Sequence, residues 1–298
     1  MMVGVDRERQ RRQKRSTKVE DFKAHYGVHP IVCAQIWEDL QTANIAEAHI
    51  EAKSVDYRNS GCNLKFFLRA FHFLMRYSTD RERKCSSGAA RETARKWVWF
   101  FVRKIGALRE LVIGWPDQWA THFIISVDGV HCRYHEEKHP TLSKNPASWS
   151  HKYNGPGLAY ELALSLTEPK LVWLKGPLLA GANSDRKTFK SKHPQLKNQP
   201  TEALKDMIPV GKKAITDGGY RKRGDPKIAA PNSHDTEELR TFKARARMRQ
   251  ENFNQRIKRF ECLTNDFRHG MEEHGQCFVA VSVICAYEME LVWPMWEI

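Results

Sequence analysis

At Gly114-Trp115-Pro116 the hydrophobic pattern changes its period, and that change limits the chain to an α-helical region followed by a mixed α/β one. Before it, apolar residues recur at helical spacing: Val32, Ile36 and Leu40, then Leu64, Phe67, Phe71, Leu74 and Met75. After it come largely apolar runs with the look of buried strands, at His122–Val130, Leu158–Leu166 and Lys170–Leu179. The last two are joined by a turn at Thr167-Glu168-Pro169. Ser184–Phe189 reads as the start of a helix, Lys213–Asp217 and Ile228–Ala230 as short strands. Long helices are expected from about Asp235 to Cys262 and from about Cys277 to Val292. The expected organisation is a basic arm over 1–20, a helical region over 21–114 and an α/β domain over 115–298.

Within the helical region, Ser78-Thr79-Asp80 reads as a helix cap. Ser86-Ser87-Gly88 reads as a short turn before a longer helix, Ala89 to about Leu108. Helix, glycine turn, helix is the outline of a helix-turn-helix. Its second helix would offer Arg91, Thr93, Arg95 and Lys96 to a DNA groove and turn Trp97, Phe100 and Phe101 inward. The plain alternative is a helical hairpin that binds nothing.

Charge favours the first reading. Lysine and arginine outnumber aspartate and glutamate 49 to 35, which makes nucleic acid the first partner to test and anionic membrane surfaces the second. Seven basic residues face three acids in Met1–Glu20, and eight face only Glu251 in Arg240–Phe260. The run RQRRQKR has the composition of a nuclear import signal or a phosphate-binding arm. The longest apolar stretch, Phe278–Tyr287, is too short to span a bilayer, and the charged first residues lead into no secretory signal. Seven scattered cysteines without a CxxC pair fit a reducing compartment. A soluble intracellular protein is expected.

Two strand-like segments run into an aspartate followed by glycine, Ser126-Val127-Asp128-Gly129 and Ile215-Thr216-Asp217-Gly218-Gly219. In open α/β sheets the reactive crevice lies beyond the carboxyl ends of the strands. Parallel neighbours stand about 4.8 Å apart, so both carboxylates would reach one small volume. Such carboxylates suit two metal ions about 3.5–4 Å apart and in-line phosphoryl transfer. Glu251 lies on a helix whose apolar stripe is Phe242, Ala246, Phe253, Ile257 and Phe260. It falls on the other face, beside Arg247, Asn254 and Lys258. Taken singly, each aspartate could equally cap a turn, and Glu251 could be an exposed, salt-bridged glutamate.

Together, 89 and 34 positions apart, the three acids carry a resemblance. The chain resembles the DDE transposases of the Harbinger type and, behind them, bacterial insertion-sequence transposases. Asp128 and His131 match a D-x-x-H element; Asp217, Gly219 and Tyr220 match D-x-G-Y; Glu251 and Lys258 match the glutamate element. GANSDRKTF, with Ser184 and Asp185, matches a further one. The match covers about 123–267 and extends weakly across the helix-turn-helix. One departure lies in the glutamate element, where Phe253 stands one place early and Asn254 occupies the usual aromatic position.

The resemblance implies an RNase H-like core in which Asp128, Asp217 and Glu251 bind two Mg²⁺ ions, with Mn²⁺ as a substitute. One ion would activate water and later a 3′-hydroxyl, and the other would stabilise the leaving 3′-oxygen. Arg247, Lys258 and the N-terminal arm would hold the DNA backbone, with His131 and Asp185 one shell out. It also implies double-stranded transposon ends and target as substrates, a Myb-like DNA-binding partner protein, a homo-oligomer and a nuclear location. Two competitors share the fold: a domesticated DNA-binding protein that no longer cuts, and another RNase H-like nuclease. A separate rival, a zinc set of His131, Cys132, His135 and His139, lacks paired-cysteine spacing and puts His131 and Cys132 on opposite strand faces.

Overall fold

The computed structural model describes residues 18–42, 63–87, 90–116, 118–119, 121–135, 145–192, 202–221 and 224–296. Most of the basic arm and His139 lie outside them, as does the turn glycine Gly88. Helices come first: α1 (18–26), α2 (Pro30–Thr42), α3 (Asn63–Arg76), α4 (Asp80–Ser87), α5 (Arg91–Ala107) and the single turn α6 (Arg109–Val112). The expected cap at α4 is present. Thr79 Oγ1 accepts from Glu82 N at 3.3 Å while Glu82 Oε2 accepts from Thr79 N at 2.6 Å, a reciprocal capping box.

Strands β1 (Phe123–Arg133), β2 (Trp149–Ser150), β3 (Gly155–Ser165) and β4 (Leu171–Leu179) follow. Then come α7 (Asp185–Lys190), α8 (Leu204–Met207), β5 (Lys213–Ile215), β6 (Ile228–Ala229), α9 (Glu237–Lys258), α10 (Glu261–Thr264) and α11 (Met271–Leu291). The result is a mixed α/β fold with one six-stranded mixed sheet. β3 runs antiparallel to both β1 and β4, whereas β5 lies parallel to β1 on its other side and β6 parallel to β5.

The sheet is covered on both faces, as its long apolar runs require. Val130, Cys132, Leu158, Tyr160, Leu162 and Leu174 pack against α9, α10 and α11. Ile125, Val127, Ala163 and Trp173 pack against Phe189 of α7, Leu204 of α8 and Tyr220. The first cluster continues without a break through Ile105, Phe101, Phe71, Phe67 and Ile36 of the N-terminal helices. Helix α5 lies on α3 and α11, so the helices before Gly114 and the α/β part share one core.

Several expected boundaries move: the last helix opens at Met271 and not near Cys277, and β3 opens at Gly155 and not at Leu158. The first strand does not stop near Val130: hydrogen bonding to β3 carries β1 on to Arg133 opposite Gly157. The long helix stops at Lys258, where the chain bends through Arg259 so that Phe260 can bury before α10. Among the described residues no helix is long and apolar enough to cross a membrane.

Candidate active site

Asp128 and Asp217 come together through strand register. Ser126 of β1 pairs with Ile215 of β5, and each aspartate lies two residues further along the chain, Asp128 within β1 and Asp217 just past the end of β5. Because β1 continues, Asp128 sits inside its strand, at the level where β5 ends and its chain turns away through Gly218–Tyr220. Asp217 caps that turn, its Oδ1 accepting from Gly219 N at 2.9 Å. Asp128 Oδ1 accepts from Gly129 N at 2.8 Å.

Asp185, expected one shell out, stands with them. It opens α7 behind its N-cap Ser184, and a Cβ on Gly129 would collide with its Oδ1. A Cβ on Gly219 would lie 3.2 Å from Asp217 Oδ1 and 3.3 Å from Asp185 Oδ2. The missing side chain at Gly129 gives room to the Asp185 carboxylate, and Gly219 lies between Asp185 and Asp217. Burial pushes the Asp128 carboxyl up to about 6, against the pull of Lys152, with the charges of Asp217 and Asp185 adding to the rise. Burial and Asp217 likewise raise Asp185. Carboxylates crowded in this way are relieved by a bound cation.

Helix α9 forms the opposite wall. A cleft of about 310 Å³ is lined by Asp128, Gly129 and Asp217 on one side, by Arg247, Gln250, Glu251, Asn254, Gln255 and Lys258 on the other, and by Lys152. Glu251 thus faces the aspartates across the cleft, from an exposed position on the helix. Among the described residues, no set of three histidine, cysteine, aspartate or glutamate side chains is placed to hold a metal ion as it stands. The acids border one cleft without forming a closed ligand shell.

Asn254 is buried and donates to Asp128 Oδ2 at 2.7 Å. Gln250 Nε2 donates to Asn254 Oδ1 at 3.3 Å, and Ser126 Oγ donates to Gln250 Oε1 at 2.9 Å. This buried chain ties α9 to β1 and explains why an amide, not an aromatic ring, stands three residues after Glu251. Sequence reasoning missed Gln250 in this role. A pair of amides one helical turn apart, at 250 and 254, was the available signal.

Half of the basic run on α9 turns out to be structural. Lys243 bonds Asp235 at 2.8 Å and Ala230 O at 3.0 Å. Arg249 is buried and donates to Leu166 O and Glu168 O. Arg256 donates to Trp293 O, and Arg259 pairs with buried Glu288 at 2.5 Å. Arg247 and Lys258 are the ones that face the cleft.

His131 lies beside β2. Its Nδ1 bonds Ser150 Oγ at 2.8 Å, and burial, with the nearby Lys152 and Lys258 charges, holds it down at about 4. It is neutral near pH 7. Cys132 points the other way into the core, its thiol pushed up to about 12 by burial, so the two do not share a ligand sphere. Arg91, Arg95 and Lys96 are exposed at the start of α5, whereas Val98, Trp99, Phe101, Val102 and Ile105 bury its remainder. Exposed cations therefore lie on the first turns of α5, with Arg103 also exposed further along. Comparison with protein-family models, with curated proteins and with solved structures finds no match to this chain.

Proposed function

We propose that the protein is a metal-dependent DNA endonuclease of the DDE transposase kind, working on an RNase H-like core. The observation that carries this is the placement of Asp128, on β1, level with Asp217, which lies just past the end of the adjacent parallel strand β5. Asp185 stands beside them and Glu251 faces them across a cation-lined cleft. The sheet supports the fold: three antiparallel strands, β4, β3 and β1, are followed by β5 and β6 parallel to β1.

Asp128, Asp185, Asp217 and Glu251 offer the hard oxygen donors that Mg²⁺ takes. When bound, such ions supply nucleophile activation and leaving-group stabilisation in phosphoryl transfer. The chain's own residues do the rest. Asn254 fixes the orientation of Asp128, and Gln250 fixes Asn254. Arg247 and Lys258 hold backbone phosphates at the mouth of the cleft, and the first turns of α5, through Arg91, Arg95 and Lys96, add contacts to duplex DNA. Neutral His131 steadies β2 and is not used as an acid. A Myb-like partner and a nuclear site of action belong to the same proposal.

A DNA-binding protein that no longer cuts is the second reading. It is favoured by the exposed Glu251 and by the lack of a ready-made metal shell among the described residues. The deciding experiment compares wild type with Asp217→Asn in Mg²⁺, on a duplex carrying the element's own ends and with the partner protein present. A nuclease loses strand cleavage by several orders of magnitude while still binding DNA. Equal cleavage by both proteins sinks the carboxylate mechanism. Binding without cleavage by either makes the silent DNA-binder the better account.

A further inference from the structure

One cation in the cleft belongs neither to α9 nor to any of the acid-bearing elements. Lys152 lies in the turn 151–154 that joins β2 to β3, and its Nζ donates to Gly129 O at 3.3 Å. Gly129 follows Asp128 and lies against the Asp185 carboxylate, so the ammonium stands on the strand beside these acids, on the wall of the same cleft. Its charge acts on both Asp128 and Asp185.

The turn is held from several directions. Tyr153 Oη donates to His131 O at 2.7 Å, and Tyr153 N donates to Ser150 O at 3.2 Å. The His131 ring bonds Ser150 Oγ, and the Arg133 guanidinium lies over the Tyr153 ring, 5.3 Å from its centroid. Asn154 takes a left-handed conformation, with φ of 52°, which asparagine tolerates better than most residues. These contacts fix the turn, while the long Lys152 side chain remains exposed and able to swing.

Resting on the reading of the cleft as a metal-dependent phosphodiester site, we propose that Lys152 is its resident counter-ion. It neutralises the acids while no divalent cation is bound, then moves onto the substrate phosphate when one binds. A fixed arginine would suit a permanent salt bridge. A single point charge on a flexible stem suits an exchange.

The test uses the full chain with Mn²⁺ alone, free Mn²⁺ being followed by electron paramagnetic resonance. It then uses a short labelled duplex in Ca²⁺, so that binding is read without cleavage. Removing a positive charge beside the site in Lys152→Met should tighten Mn²⁺ roughly fivefold. The same variant should lose the part of its duplex affinity that Ca²⁺ adds. Lys152→Arg should return Mn²⁺ affinity to wild type but recover only part of the Ca²⁺-dependent duplex affinity. Lys152 is exposed, so melting temperature should hold across the series and separates these effects from misfolding. Mn²⁺ and duplex affinities unchanged in Lys152→Met overturn the proposal. If Asp217→Asn abolishes Mn²⁺ binding in the same series, only the role of Lys152 has failed. If wild type binds no Mn²⁺, or Asp217→Asn binds it as wild type does, the metal-site reading falls too.

Discussion

Asn254 donates to Asp128 across 126 residues of chain, at 2.7 Å and in a buried position, and so joins the helix that carries Glu251 to the strand that carries the first aspartate. Removing the amide leaves an Asp128 oxygen without its donor and cuts the buried chain running back to Ser126. A hydrogen bond to a charged group contributes about 1.5–3 kcal/mol. Asn254→Ala should lose about that much in urea denaturation near pH 7. Asn254→Asp should lose more, because it sets a second carboxylate against Asp128. Wild-type stability in both variants would show that the bond does not hold the wall of the cleft.

Much of the scaffold was legible because burial writes itself into period. The strand runs of β1, β3 and β4 and the stripe of α9 are apolar for the same reason that they are buried. The acids at 128 and 217 were legible as strand–aspartate–glycine. What was not legible was register and depth. Nothing local in SVDGVHC tells that β3 pairs on through Arg133, or that Asp185 meets Gly129 from another helix. Charge misled in the other direction. Lys243, Arg249, Arg256 and Arg259 look like a DNA-binding run, yet each is used to fasten α9. Composition does not record which face of a helix a cation occupies.

Gly129 tests whether Asp185 belongs to the acid cluster. In Gly129→Ala the new methyl group would meet the Asp185 carboxylate, a side-chain end that can rotate aside. The stability cost should stay below about 1.5 kcal/mol, within the range of an off-rotamer side chain. Mn²⁺ affinity should drop by at least as much as in Asp185→Asn. Full Mn²⁺ affinity in both variants would remove Asp185 from the site.

Glu161 gives a pH signature that owes nothing to metal. It lies on β3 opposite Gly129, is 1% exposed, accepts from Trp173 Nε1 at 3.0 Å and has no partner for its other oxygen among the described residues. Burial pushes its carboxyl up to about 8, against the Trp173 hydrogen bond and the charge of Lys175, with Asp185 adding to the rise. A raised folded-state value means that the native protein holds a proton the unfolded chain has released. The stabilisation is whole below the ordinary glutamate range and is lost as pH rises toward about 8. Through that window it should fall by up to about 1.4 kcal/mol per pH unit. Glu161→Gln keeps the acceptor for Trp173 and removes the titration. The variant should match wild type near pH 4 and exceed it increasingly up to pH 8 in urea denaturation. Parallel pH profiles would mean that Glu161 is ionised in the fold.

The contrast between cleft cations and anchoring cations can be read from salt dependence. A lysine or arginine that neutralises a phosphate contributes about 0.9 to the slope of log K against log salt on duplex DNA. Arg247 and Lys258 face the cleft, so Arg247→Gln and Lys258→Gln should each weaken binding to a nonspecific duplex and lower the slope by about that amount. Their thermal stability should stay near wild type, since both side chains are exposed. Arg249, two residues from Arg247, is 3% exposed and donates to Leu166 O and Glu168 O at the turn between β3 and β4. Arg249→Gln should leave the slope unchanged and instead cost roughly 2–4 kcal/mol in denaturation, because it strands those carbonyls in a buried site. If Arg249→Gln lowered the salt slope while Lys258→Gln did not, the DNA path would have to leave this cleft, and the phosphodiester reading of the carboxylates would go with it.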